Sequence, residues 1–248
     1  MIRAVQVLLV ALTASVGALA DPLQAAERVD LLLVLASDVS RSVDSQKFQL
    51  QRDGYASAFS NARVLDAITS GRNGRIAVCF VEWSGATSQK LVIGWTVIKD
   101  ADTARQFGDR LVEAPRSFAE RTSISAGIDF AMAQFATAPF ETTRRTIDVS
   151  GDGTNNSGRD VRAARDDAVA KDVTINGLVI LSERPLSWNP DHTHPPGGLG
   201  NYYRDNVIGG VGAFVMVAEN FESFGKALIS KLIAEIALAA PPRQTLLR

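Results

Sequence analysis

Three oxygen-bearing side chains leave one apolar run at two-residue spacing. In "LLLVLASDVSRSVD", Leu31 to Asp44, the hydrophobic stretch stops at Asp38, and Ser40 and Ser42 follow before a helical pattern begins. A second carboxylate, Asp152, lies in "SGDG" after the strand-like run "RRTIDVS", with Gly151 and Gly153 on either side. Thr122 opens the helical pattern "TSISAGIDFA". None of these residues is a histidine or a cysteine, which disfavours zinc. Carboxylate and hydroxyl oxygens are hard donors that suit Mg²⁺, and equally Mn²⁺ or Ca²⁺. Two carboxylates offset a divalent charge, while hydroxyls and water complete a near-octahedral shell. The flanking glycines let the backbone bend so that Asp152 reaches the point toward which the D-x-S-x-S run curls. The competing use of Ser42 is as a helix N-cap. Capping explains one hydroxyl and leaves the alternating polar groups and the matching Asp152 unexplained. Thr122 is also a common type of N-cap, and Ser123 or Ser125 could take its place.

The elements that must position these residues alternate along the chain. "DLLLVLAS" is a continuous apolar run of strand length, as expected of a central parallel strand. A helical pattern follows with Val43, Phe48, Leu50, Tyr55 and Phe59. "GRIAVCFVEWS" and "SQKLVIGWTVI" are two strands joined by a short turn at Gly85, a hairpin. "DADTARQFGDRLVEA" resumes helical periodicity with Asp100 or Asp102 as its cap, and "SISAGIDFAMAQFATA" is a further helix ended by Pro139. After "RRTIDVS" come a charged surface helix, "RDVRAARDDAVAKD", and the buried strand "VTINGLVIL". The strand "GAFVMVA" and a helix with the apolar stripe Phe221, Phe224, Leu228, Leu232 and Ile236 close the pattern. These elements predict an α/β fold of three layers: a mostly parallel six-stranded sheet, one antiparallel hairpin strand, and helices on both faces. Ligands bind such sheets at the carboxyl ends of strands, which is where Asp38 and Asp152 fall. Ser182 to Gly210, rich in Pro and Gly, reads as a long irregular loop.

The chain has 248 residues, 46% hydrophobic and 21% charged, with formal net charge −1. That fits one globular domain, and the near-neutral balance argues against nucleic acid as a partner. The N-terminus, "MIRAVQVLLVALTASVGALADP", has the layout of a secretory signal peptide over residues 1–20, with cleavage after Ala20 and a short linker over 21–28. The expected location is the bacterial periplasm or exterior, with no membrane span after the signal is removed. Cys79, the sole cysteine, rules out an intrachain disulfide and reads as a buried, inert thiol.

D-x-S-x-S after the first strand, a Thr opening a middle helix and a D-G turn after the fourth strand resemble the von Willebrand factor A domain. The signature of that family is the metal-ion-dependent adhesion site. The resemblance covers residues 29–240, with 241–248 as a tail. "DVSGDGTNN" and "YYRDNVIGG" resemble, more narrowly, an exported bacterial A-domain family of unknown function. The resemblance implies that Ser40 and Ser42 ligate the metal directly, that Thr122 does so directly or through water, and that Asp38 and Asp152 lie close, partly through water. It also implies a protein partner whose acidic residue completes the site, and a final helix that shifts with that event. Two departures stand out: Arg41 replaces a Gly common between the two Ser positions, and the turn is S-G-D-G rather than T-D-G.

Other residues have plainer readings. Asp148 falls on the same strand face as Ser150 and would support the loop beyond it; Asp44 reads as an early helix charge. His192 and His194 in "DHTHPP" read as incidental residues of the long loop, since a structural zinc site needs four fixed ligands. Trp83 and Trp95 read as core or strand-edge aromatics, and Trp188 as exposed. The expected function is a metal-dependent protein-binding module rather than an enzyme. The alternatives are an Mg²⁺-dependent hydrolase or phosphoryl-transfer enzyme using Asp38 and Asp152, for which no Lys is evident near the cluster, and a metal-free interaction scaffold. No G-x-S-x-G elbow supports a serine hydrolase.

Overall fold

The computed structural model describes residues 26–237. The expected signal peptide, most of the linker that follows it and the C-terminal tail lie outside the described residues. The chain runs β1 (Glu27–Arg28), β2 (Leu32–Asp38), α1 (Ser45–Phe59), α2 (Ala62–Thr69), β3 (Ile76–Trp83), β4 (Gln89–Ile98), α3 (Ala101–Glu113) and α4 (Ile124–Phe135). It continues through β5 (Phe140–Glu141), β6 (Arg145–Gly151), α5 (Val161–Val169), β7 (Val173–Ile180), α6 (Pro190–Thr193), α7 (Leu199–Asn206), β8 (Val215–Ala218) and α8 (Phe224–Ala237). The main sheet has the order β4-β3-β2-β6-β7-β8. All its pairings are parallel except β3 with β4, the expected hairpin. The two-residue strands β1 and β5 form a separate ribbon.

The apolar runs are continuous because the sheet is covered on both sides. Leu33 and Leu35 of β2 join Tyr55, Phe59, Phe107 and Phe224 in a core beneath α1, α3 and α8. Val34 and Ala36, pointing the other way, join Ile124, Ile128, Ala164 and Tyr203 beneath α4, α5 and α7. Every residue of β2 is buried. Each buried Leu or Val contributes about 1.5–3 kcal/mol, which places β2 at the centre of the fold's stability. The anticipated six strands and two helical layers are therefore present.

Two features differ from the sequence reading. Ala62–Thr69 forms α2, a short helix capped by the Asn61 side chain, which accepts from Arg63 N. Within Ser182–Gly210, read as an irregular loop, lie α6 and α7. Leu199 and Tyr203 of α7 are buried against the α4 face of the sheet. This helix is held by packing onto β7 and β8 rather than by propensity, so its Pro- and Gly-rich flanks concealed it.

Candidate metal centre

Asp38 is the last residue of β2, and Asp152 follows β6 directly. The two strands are neighbours, with Ser37 opposite Ser150. The chain departs from β2 to β3 and β4 on one side of it, and returns to β6 on the other. The gap between the ends of β2 and β6 is therefore the switch point of the sheet, where such folds bind ligands. The segment entering α4 reaches the same gap: Ser123 N donates to Ser84 O at 2.7 Å, and Asn156 N to Thr122 O at 2.9 Å.

The five residues singled out from the sequence come together there. Ser40 N donates to Asp38 Oδ1 at 2.7 Å. Thr122 Oγ1 donates to Ser40 Oγ at 3.1 Å, Ser40 Oγ and Ser42 Oγ are 3.2 Å apart, and Ser42 Oγ donates to Asp152 Oδ1 at 2.5 Å. Asp38, Ser40, Thr122 and Asp152 are buried, and Ser42 is half-buried. The Oδ2 atoms of Asp38 and Asp152 are buried without a hydrogen-bond partner. Burial, then the neighbouring Asp152 charge, pushes the Asp38 carboxyl from 3.8 up to about 8. Burial also raises Asp152, against the opposing pull of its Ser42 hydrogen bond and Lys47. Two buried carboxylates with idle oxygens, ringed by hydroxyls that keep lone pairs to spare, are a donor set that fits a hard divalent cation. Among the described residues no group of three or more His, Cys, Asp or Glu could hold a metal. Any cation here therefore depends on the hydroxyls.

The loop after β2 is fixed by its backbone. Arg116 Nη2 donates to Val39 O at 2.6 Å and to Ser40 O at 2.8 Å, Arg41 N donates to Glu120 O at 2.9 Å, and Gln51 Nε2 donates to Asp38 O at 3.4 Å. The capping alternatives fall elsewhere. Asp44, read as an early helix charge, is the N-cap of α1 and accepts from Lys47 N at 2.9 Å. Ser123 caps α4, accepting from Ala126 N at 3.3 Å, which leaves the Thr122 hydroxyl to the cluster. The Arg41 side chain is exposed.

Asp148 does not support the loop. Its side chain lies beneath α8, with Oδ1 2.7 Å from Lys231 Nζ. Ser150, on the same strand face, meets Tyr55 OH at 2.9 Å. The equal faces were foreseen, but the basic partner on α8 was not.

Sequence reasoning missed three contributors. Lys47, one turn into α1, places Nζ 2.9 Å from Ser42 O and 3.6 Å from Asp152 Oδ2; a Lys does join the cluster. Its spacing from Ser42, one helical turn plus one residue, was a signal present in the sequence. His192, read as incidental, is 2% exposed. Its Nε2 is 3.2 Å from Thr122 Oγ1, and its Nδ1 is 3.3 Å from both Thr154 Oγ1 and Asn156 Nδ2. Burial lowers its pKa, against the opposing pull of the Asp152 charge, and so favours the neutral ring. Tyr203 stands behind Asp38, and a Cβ added at Gly151 would lie 2.6 Å from its OH and 3.1 Å from Asp38 Oδ2. Gly151 is glycine because β6 passes this close. The remaining side chains lie where the sequence placed them: Cys79 and Trp83 are buried, and Trp188 is exposed.

The family described as "protein of unknown function (DUF1194)" matches residues 28–240. The chain belongs to that family. Its fold is that of the von Willebrand factor A domain. Proximal thread matrix protein 1 from the mussel byssus, solved with a zinc-occupied MIDAS motif, is 17% identical with a TM-score of 0.57, over 85% of this chain and 48% of that one. A von Willebrand factor type A protein from Catenulispora acidiphila is 14% identical with a TM-score of 0.55, over 86% and 43%. The pilus adhesin SpaC from Lactobacillus rhamnosus GG is 12% identical with a TM-score of 0.59, over 86% and 31%. The DUF1194 chain thus spans about half or less of the length of these solved proteins, and at such identities the likeness is one of fold. No curated protein matches it. Among the described residues no helix is long and apolar enough to cross a membrane.

Proposed function

We propose that this DUF1194 chain is an extracytoplasmic protein-binding module that holds a divalent cation, Mg²⁺ or alternatively Mn²⁺ or Ca²⁺, among Asp38, Ser40, Ser42, Thr122 and Asp152. The observation that carries the reading is the pair of buried carboxylates whose Oδ2 atoms lack hydrogen-bond partners, beside three linked hydroxyls. Buried carboxylate oxygens without hydrogen-bond partners are costly, and a hard cation is a group that would satisfy them. The N-terminal signal-like segment supports export. The mussel protein, with its zinc-occupied MIDAS motif, lends support by analogy of fold alone.

When bound, the cation supplies a Lewis-acidic position for an acidic group of a partner protein. The half-buried Ser42 and the ammonium of Lys47 favour approach of an anion from that side. A groove of about 420 Å³ adjoins it, walled by Lys47 and Arg184 and also by Asp44, Glu183 and Glu222. The test is heat unfolding of the chelator-stripped chain. Added Mg²⁺ or Mn²⁺ is expected to raise the midpoint of the wild type and leave Asp152→Ala unmoved. Equal shifts in both proteins count against these residues as the cation's ligands.

Lys47 favours one second reading, phosphoryl transfer with Asp38 as nucleophile, because a cation beside the carboxylates is a usual part of such sites. Against it, Asp38 is fully buried, which leaves its carboxylate no open path to an incoming phosphoryl group. Hydrolysis of p-nitrophenyl phosphate with Mg²⁺, lost in Asp38→Asn, is the outcome that would favour it.

A further inference from the structure

The orientation of one amide sets the direction of the hydrogen bonds in the cluster. Thr122 N–H donates to Asn156 Oδ1 at 3.0 Å, so the carbonyl oxygen of that amide faces the backbone and its NH₂ faces outward. That NH₂ lies 3.3 Å from His192 Nδ1. Two N–H groups cannot face each other, so Nδ1 is the acceptor. In a neutral imidazole the proton then sits on Nε2. Nε2–H points at Thr122 Oγ1, 3.2 Å away. The Thr122 hydroxyl donates its hydrogen bond to Ser40 Oγ, and the Ser42 hydroxyl donates to Asp152 Oδ1. Ser42 must therefore accept from Ser40. Every link now runs the same way, and each of the three hydroxyls accepts one hydrogen bond, donates one, and keeps a lone pair.

We propose that His192 is a positioning residue for the cation centre: its Nε2–H starts a one-way chain of hydrogen bonds through Thr122, Ser40 and Ser42 to Asp152, leaving a lone pair on each hydroxyl for the cation. Reversing the ring tautomer would make Nε2 an acceptor and draw the Thr122 proton away from Ser40. The local structure is built around this ring. Thr154 N donates to His192 O at 2.9 Å, and a Cβ at Gly153 would overlap the imidazole. Residue 192 lies on α6, so the segment between β7 and β8 supplies a working part of the centre. Partners that orient ligating groups typically change metal affinity by about 10–100-fold when removed.

The inference deepens the metal-binding reading and rests on it, so its test has an arm that needs no metal. Imidazole ¹⁵N shifts of the whole chelator-stripped chain, with His192 assigned by comparison with His194→Gln, are expected to show protonated Nε2 and bare Nδ1. Protonated Nδ1 overturns the proposal. In the second arm Mn²⁺ is titrated into wild type, His192→Phe and His192→Gln. His192→Phe keeps a ring without a donor, and is expected to bind about 10–100-fold more weakly. His192→Gln restores an N–H and is expected to recover most of the affinity. Equal affinity in wild type and His192→Phe overturns the positioning role. A wild type that binds no Mn²⁺ overturns the metal reading, and with it the role, whatever the tautomer. If His192→Phe does not fold, the tautomer and the His192→Gln affinity still decide: the wrong tautomer, or Gln binding no better than about 10-fold below wild type, refutes the proposal.

Discussion

The Ser42 hydroxyl meets Asp152 Oδ1 at 2.5 Å, joining positions 110 residues apart at the ends of two adjacent parallel strands. That contact links the D-x-S-x-S run to the S-G-D-G turn and makes one cluster of two motifs. It also leaves Asp152 Oδ2 facing Lys47 alone, at 3.6 Å. Several consequences can be measured.

The stripped chain should lose stability as pH rises. The folded-state pKa of Asp38 is raised from 3.8 to about 8, so the folded form holds its proton more tightly than the unfolded form does. Stability from this group is full below about pH 4 and is lost as pH climbs through about 8. Asp152 is shifted in the same direction. Melting in chelator should fall from pH 5 to pH 8, and the fall should be smaller in Asp38→Asn. An Asp38→Asn slope equal to that of wild type would show that the carboxyl is not the source.

A divalent cation held by Asp152 would compete there with Lys47. The ammonium sits 3.6 Å from Oδ2 and is about a quarter exposed, so it repels an incoming cation across a partly screened site. Lys47→Met should tighten Mg²⁺ binding by up to about ten-fold, a change of about 1.4 kcal/mol. Weaker binding in the variant would mean that Lys47 supports the site rather than opposing the ion.

Gly153→Ala tests the fit of α6 over the site. A methyl group there would collide with the His192 ring. The expected result is faster proteolysis within residues 182–198 and weakened cation binding, with the sheet's melting little changed. An unchanged cleavage pattern would show that the ring can move aside freely.

A separate buried ion cluster fastens the last helix to the sheet. Lys231 Nζ is 2.7 Å from Asp148 Oδ1 and also pairs with Glu235, and Asn176 Nδ2 donates to Glu235 Oε1 at 2.7 Å. Lys231→Met leaves two buried carboxylates without a cation and should cost about 3–5 kcal/mol. Adding Asp148→Asn should recover part of that loss. Additive penalties in a double-mutant cycle would argue against direct coupling.

The layers of the fold and the five clustered oxygen-bearing residues were legible because their signals are local. β2 reads as central because seven successive residues are buried on both faces, and Asp38 and Asp152 were found by type and by position at strand ends. His192 was not legible. Its partners, Thr122, Thr154 and Asn156, come from two other loops, and a histidine between prolines carries no periodic signal. Nor could α7 be read, since its eight residues are set by burying Leu199 and Tyr203 rather than by helix formers. Asp148 shows the converse: its strand face was evident, but the Lys231 it meets lies on the last helix and is specified only by packing.

The most direct measurement is calorimetric titration of the chelator-stripped chain with Mg²⁺ and with Mn²⁺, in parallel with Ser40→Ala. Ser40 is the middle link of the cluster, bonded to Thr122 and Ser42. The account expects saturable one-site binding in the wild type and its loss in Ser40→Ala, with both proteins folded. Equal binding in the two proteins, or none in the wild type, would contradict a cation centre at the ends of β2 and β6.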